Sequence, residues 1–113
     1  MEDALVGAVR RVLTHLRNPR RPSDRLLETW PGLGSLQAVN AFVRTEIDAM
    51  AGSASPVDQE AAEILRLYYL GRSTGHDVTA HRVHLSRATY FRRLDYGIRC
   101  LAEAVRALDV VEG

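Results

Sequence analysis

Apolar side chains recur at helical spacing along almost the whole chain. In the stretch 2–17 they are Leu5, Val9, Val12, Leu13 and Leu16. In the stretch 35–51 they are Leu36, Val39, Phe42, Val43, Ile47 and Met50. Residues three and four apart share one face of a helix, whereas the strict alternation that indicates a strand persists nowhere in this sequence. The pattern predicts an all-α fold.

Proline and serine residues divide this pattern into five or six helices. Pro19 and Pro22 end the first helix, because the proline ring is incompatible with a helix interior. Ser23 is a candidate cap for a short helix over 24–29, which closes at Trp30. We expect Trp30 to fill the core between helices.

The domain organisation follows from the remaining boundaries. Pro56 stands near the start of a helix that continues to Leu70. We expect one compact domain over 1–113, with five to six helices and a long last helix. Within it, 1–55 forms a helical support or dimerisation half, and 57–110 forms a helix-turn-helix half.

The stretch 77–101 has the pattern of a helix-turn-helix. A short segment with small and apolar residues, Ala80, Val83 and Leu85, stops at Ser86. Serine is a preferred N-cap, because its hydroxyl accepts a hydrogen bond from an amide at the start of the next helix. A short helix, a tight turn and an arginine-rich second helix are typical of a motif that enters the major groove of DNA.

The last helix has two faces. Its apolar face consists of Tyr90, Phe91, Leu94, Ile98, Leu101, Val105 and Leu108. The opposite face carries Thr89, Arg92, Tyr96 and Arg99, with Ala88 and Arg93 toward its edges. We predict that DNA is contacted by Ser86, Arg87, Ala88, Thr89, Arg92, Arg93, Tyr96 and Arg99. The C-terminal half of this helix exceeds what recognition requires, so it either packs on the N-terminal helices or pairs with a second copy.

Charge is unevenly distributed along the chain. The net charge is only +1, and all fifteen basic residues are arginine. Six of them lie between Arg72 and Arg99, where Asp77 and Asp95 are the only acidic residues. Arginine presents a planar fork that suits phosphates and guanine edges. The competing interpretation is that an arginine face on an exposed helix only keeps the protein solvated.

Composition indicates a small intracellular protein. A chain of 113 residues with 46% apolar content is sufficient for one domain with a real core. No apolar run approaches the roughly 18 residues that a membrane span needs, and the acidic start does not resemble a secretory signal. A single cysteine, Cys100, forms no internal disulfide, which favours a reducing cytoplasm and a packing role for this residue.

Two segments resemble the region-4-like helix-turn-helix of bacterial sigma factors. They are ILRLYY at 64–69 and HLSRATYFRR at 84–93. The likeness is to small actinobacterial domains of that type, which occur alone or ahead of large signalling ATPases, and it covers about 60–105.

The resemblance implies that Ser86 is the cap and that the reading positions are Arg87, Ala88, Thr89, Arg92 and Arg93. The chain departs from the family pattern at two positions. His84 stands where that family has glycine, and Thr79 stands where it has an apolar residue. The −10-binding region of a sigma factor has no counterpart here, so the resemblance does not imply sigma-factor activity.

Other chemistry receives little support from the sequence. His76, Asp77, His81 and His84 are close together, but the sequence places no further metal ligands beside them. These histidines are expected to be surface imidazoles near DNA phosphates. A phosphate-binding glycine loop, a carboxylate pair and an activated nucleophile are all missing from the sequence. We therefore expect no enzyme activity, metal or cofactor.

These observations favour a cytoplasmic bacterial transcriptional regulator that binds double-stranded DNA. A homodimer is expected, because regulators of this kind commonly match two half-sites with two-fold symmetry. The apolar helices of the N-terminal half also exceed what a helix-turn-helix needs to bury. The alternatives are that these helices complete one core, and that the chain is an adaptor module that recruits a protein partner of a signalling system.

Overall fold

The computed structural model of the protein describes residues 4–18, 35–71 and 75–112. The helices are α1 (Ala4–Arg17), α2 (Leu36–Ala51), α3 (Pro56–Leu65), α4 (His76–Arg82) and α5 (Arg87–Glu112). A π-helical segment, Arg66–Leu70, continues α3. The described residues contain no strand, which confirms the all-α prediction. The short helix expected over 24–29, and Trp30 with it, lie outside the described residues.

Serine side chains cap the N-termini of α2 and α3. The Ser35 hydroxyl accepts a hydrogen bond from the Ala38 amide at 3.1 Å. The Ser55 hydroxyl accepts one from the Asp58 amide at 3.4 Å, and Pro56 follows as the first helical residue. Each cap satisfies an amide that has no partner within its own helix.

α5 is the central element of the core. It packs against α1, α2 and α3, and Leu101 and Val105 of its C-terminal half lie in the same buried cluster as residues of α1 and α2. This agrees with packing on the N-terminal helices, the first of the two arrangements expected for that half. The buried side chains of α5 include Tyr90, Leu94, Ile98, Leu101 and Val105, which confirms the apolar face. Phe91 and Leu108 are half-buried.

The crossing of α3 and α5 is close at Gly97. A Cβ atom at this position would lie 3.0 Å from Leu65 Cδ1 and 3.2 Å from Ala61 Cβ. Glycine therefore lets the two helices approach, and this approach fixes the arginine-bearing turns of α5 relative to α3.

The apolar residues of α1 and α2 belong to the same core. The largest fully buried ones are Val9, Val12, Leu13, Val39, Val43 and Ile47. Among the described residues the exposed large apolar side chain is Val78, at 42%. Within this part of the chain, α1 and α2 complete one core with the other helices. Their apolar faces are therefore not exposed there as a surface for dimerisation.

Candidate nucleic-acid interface

The turn between α4 and α5 is a Schellman motif. The His84 amide donates to the His81 carbonyl at 3.2 Å, and the Leu85 amide donates to the Ala80 carbonyl at 3.1 Å. The residue between these bonds must adopt a left-handed conformation, and His84 does so with φ 58°. His84 is also the position at which the resembled family has glycine. His84 therefore adopts the left-handed conformation that glycine usually provides in such a turn, and its side chain is exposed to solvent.

Replacing His84 by glycine is expected to stabilise the protein. A left-handed conformation costs a residue with a Cβ roughly 1–2 kcal/mol, and glycine avoids this cost while adding some unfolded-state entropy. We expect His84→Gly to raise the free energy of unfolding by up to about 1 kcal/mol and His84→Val to lower it by more than that. Urea unfolding measures both. Equal stability of the two variants would contradict the turn geometry.

Ser86 caps α5, as the sequence predicts. Its hydroxyl accepts a hydrogen bond from the Thr89 amide at 3.3 Å, and its carbonyl accepts one from the Tyr90 amide at 2.8 Å. Arg87 and Ala88, the first helical residues, are exposed. The start of α5 is thus fixed in direction while its first turn remains open to solvent.

An aromatic cluster holds α4 against the rest of the domain. The His76 ring stacks on Tyr68 with 3.8 Å between centroids, and its Nδ1 lies 2.6 Å from the hydroxyl of buried Tyr90. The Arg17 guanidinium lies over the Tyr68 ring at 4.0 Å and donates to the Tyr68 carbonyl at 2.5 Å. The π-helical segment carries Tyr68, and π-helical turns often occur at functional sites. The expectation that His76 is a surface imidazole is therefore wrong, because the ring is an anchor between elements.

Thr79 is a polar residue at a buried position, where the resembled family has an apolar residue. Its side chain is fully buried, and its hydroxyl donates to the Gly75 carbonyl at 2.9 Å. A buried hydroxyl with a partner costs little, so the departure from the family pattern is accommodated within α4.

The aromatic cluster favours a neutral imidazole. Burial lowers the pKa of His76, and the nearby Arg17 and Arg87 guanidinium groups lower it further, while Asp77 opposes them. Burial raises the pKa of Tyr90 to about 12. The contact that positions α4 is therefore one between uncharged groups at neutral pH.

Stability is expected to fall when the pH drops through the titration range of histidine. In the unfolded chain His76 titrates near its ordinary value of 6.5, whereas in the folded protein its pKa is lower. As the pH falls, the unfolded state therefore binds the proton first. The stabilisation that neutral His76 contributes is complete above pH 6.5 and is lost as the pH falls toward the pKa of the folded protein. Urea unfolding at about pH 7.5 and about pH 5.5 should show a smaller loss for His76→Gln than for the exposed control His81→Gln. Equal losses would contradict this role of His76.

Two predicted contact residues lie on the open face of α5. Arg92 and Arg99 are both exposed. They line an open depression of about 490 Å³ together with Asp95, Tyr96, Cys100 and Glu103. The Arg92 guanidinium donates to Thr89 Oγ1 at 3.3 Å, and Arg99 Nε donates to Asp95 at 2.8 Å. Cys100 is half-exposed and hydrogen-bonded to Tyr96, in line with a packing role.

Three further predicted contact residues, Arg87, Arg93 and Tyr96, are engaged by carboxylates of the same chain. Arg87 pairs with Asp77, an ion pair whose side chains are 70% and 82% exposed. Arg93 Nε lies 3.2 Å from Glu60 Oε1. The Tyr96 hydroxyl donates to Asp58, which raises the pKa of Tyr96 and lowers that of Asp58.

Asp58 and Glu60 are site residues that the sequence pattern does not predict. Both lie in the N-terminal half of α3 and are separated from their α5 partners by 38 and 33 residues. No local pattern marks them, because the pairing depends on how α3 crosses α5. They place two negative charges at one edge of the predicted contact surface.

Neither metal nor membrane chemistry is found in the described part of the chain. Within it, no three His, Cys, Asp or Glu side chains are grouped so as to hold a metal ion. None of its helices has the length and apolarity to cross a membrane.

Comparison with protein-family models, with curated proteins and with solved structures gave no match. The likeness to sigma-factor region 4 remains a prediction from the two quoted segments.

Proposed function

We propose that the protein is a DNA-binding transcriptional regulator in which α5 enters the major groove. One observation carries the proposal: α4, the left-handed turn at His84 and the Ser86 cap present the first turns of α5 to solvent with an arginine-rich face. α4 in turn packs against the π-helical segment and against α5. A recognition helix needs such a support on one face and free side chains on the other.

Arg92 is the candidate for reading a base. It is exposed, and no carboxylate among the described residues lies within ion-pair distance of it. Its hydrogen bond is to the neutral Thr89 hydroxyl, so the guanidinium can donate to the O6 and N7 atoms of guanine without first breaking an ion pair. Arg87 and Arg99 flank it, each in an exposed ion pair, with Asp77 and Asp95. Such exposed pairs contribute little stability, so each arginine can readily exchange its carboxylate partner for a phosphate.

The oligomeric state and the location belong to the same proposal. Two copies would match two half-sites of a palindromic operator, and the action would take place in the bacterial cytoplasm. A dimer of this kind has to form through polar surface or through residues outside the described ranges, since the described apolar stripes of α1 and α2 lie in the core.

An adaptor module is the second candidate function. It is favoured by the pairing of Arg87, Arg93 and Tyr96 with carboxylates of the same chain, which partly balances the charge that DNA would have to attract. In this alternative the helix-turn-helix is a support for protein contacts. A specific protein partner, captured by a chain that has no affinity for duplex DNA, would favour it.

Selection of bound fragments from a pool of genomic duplexes, followed by titration of the selected duplex, tests the proposal. Arg92→Ala should cost about 1–3 kcal/mol of binding free energy and relax the preference at one base pair. The control is Arg44→Ala, which removes an exposed arginine from α2 that is bonded only to Asn40 among the described residues. If both variants bind the selected duplex with equal affinity and preference, Arg92 does not read DNA.

A further inference from the structure

The N-terminal half of α3 presents carboxylates to the edge of the DNA-facing surface. Glu60 Oε1 accepts from Arg93 Nε at 3.2 Å, and Asp58 accepts from the Tyr96 hydroxyl one turn further along α5. The Glu60 and Arg93 side chains are 34% and 28% exposed, so the pair lies at the surface and not in the core.

A carboxylate and a phosphate compete for the same guanidinium donors. Both present a pair of anionic oxygen acceptors that arginine can bind through two parallel N–H groups. An arginine whose charge is already balanced by a carboxylate gains less from a phosphate contact than an arginine without such a partner. The carboxylate also stays close to the nucleic acid and repels it.

We propose that Glu60 is an intramolecular competitor of the DNA phosphate for Arg93 and thereby limits the affinity of the protein for duplexes. This inference rests on the proposed function. Glu60 keeps Arg93 out of the phosphate contacts, which are left to the more exposed Arg87 and Arg99. Asp58 acts in the same direction by fixing Tyr96 against α3.

Removing the Glu60 carboxylate should increase DNA binding, a change that a loss of structure does not produce. Each additional neutralised phosphate makes the slope of log K against log salt more negative by about 0.9, which corresponds to roughly an eight-fold gain in affinity near 0.1 M salt. Glu60→Gln and Glu60→Ala should both show a gain up to this size together with the steeper slope. Glu60→Gln retains an acceptor for Arg93, so Glu60→Ala should show the larger change.

The matched control is Glu63→Gln on the same helix. Glu63 is exposed, and the charge change is identical, so this variant reports the effect of charge alone. Fluorescence anisotropy on a labelled random-sequence duplex, over a range of salt concentrations, gives both the affinity and the slope. A circular-dichroism melt confirms that each variant is folded.

Three outcomes decide between the possibilities. The inference is supported if only the Glu60 variants have a steeper slope and if adding Arg93→Ala to Glu60→Ala restores the wild-type slope. It is overturned if Glu60→Gln, Glu60→Ala and Glu63→Gln share one slope and one affinity while the wild type binds. If no variant and no wild-type protein shows salt-dependent binding, the proposed function itself falls, and this inference falls with it.

Discussion

The protein in which Arg87, Arg92 and Arg99 are all replaced by alanine is expected to lose nearly all affinity for DNA. The base-reading arginine accounts for about 1–3 kcal/mol of binding free energy, and each lost phosphate contact weakens binding by roughly eight-fold near 0.1 M salt. Together these losses amount to roughly 10²- to 10⁴-fold. All three side chains are exposed on α5, so the fold should be preserved.

A triple variant elsewhere on the chain provides the control for charge. Arg44, Arg66 and Arg106 match the three residues in the kind of partner they have, because Arg66 and Arg106 are in ion pairs with Asp48 and Glu103 and Arg44 is bonded to Asn40. Their replacement by alanine removes the same net charge from other surfaces. We expect this control to lose far less affinity in an anisotropy titration. Equal losses in the two triple variants would show that binding depends on net charge and not on the start of α5.

Replacing Tyr90 by alanine is expected to have the largest effect on stability. The Tyr90 ring is fully buried, packs edge-on against Phe91, and its hydroxyl meets His76 Nδ1 at 2.6 Å. Removing a buried aromatic ring of this size costs about 3–5 kcal/mol, through the lost transfer free energy and the cavity that remains. Because Tyr90 anchors α4 to α5, DNA binding should be lost together with folding.

The conservative variant separates the two contributions of this residue. Tyr90→Phe keeps the ring and removes only the hydroxyl, with its hydrogen bonds to His76 and Thr79, so it should cost about 1 kcal/mol. Phe42→Ala, which removes a half-buried ring from α2, serves as the control for loss of an aromatic side chain and should cost less than Tyr90→Ala. Urea unfolding measures all three. A cost below about 1 kcal/mol for Tyr90→Ala would contradict the anchoring role.

The local features of the fold were predictable from the sequence. Ser35, Ser55 and Ser86 mark helix starts because their hydroxyl groups bind amides only three residues away. The apolar face of α5 is equally a local property, since it depends on the helical period alone.

The features that depend on tertiary contacts were not predictable. The π-helical turn at Arg66–Leu70 places the Tyr68 ring against the His76 ring. A hydrophobic pattern with a period of 3.6 residues does not predict a π-helical turn. The residues next to His76 in the sequence therefore indicate a surface position and not its contacts with Tyr68 and Tyr90. The contacts of Arg93 and Tyr96 with α3 likewise connect residues far apart in sequence.

The salt dependence of wild-type binding to duplex DNA tests the central claim most directly. With the two phosphate contacts proposed for Arg87 and Arg99, log K should fall linearly with log salt with a slope of about −2, with micromolar or weaker binding to random sequence at physiological salt. This slope should be absent in the protein that lacks Arg87, Arg92 and Arg99. The absence of saturable, salt-dependent binding to both random and genomic duplexes would contradict DNA recognition by α5.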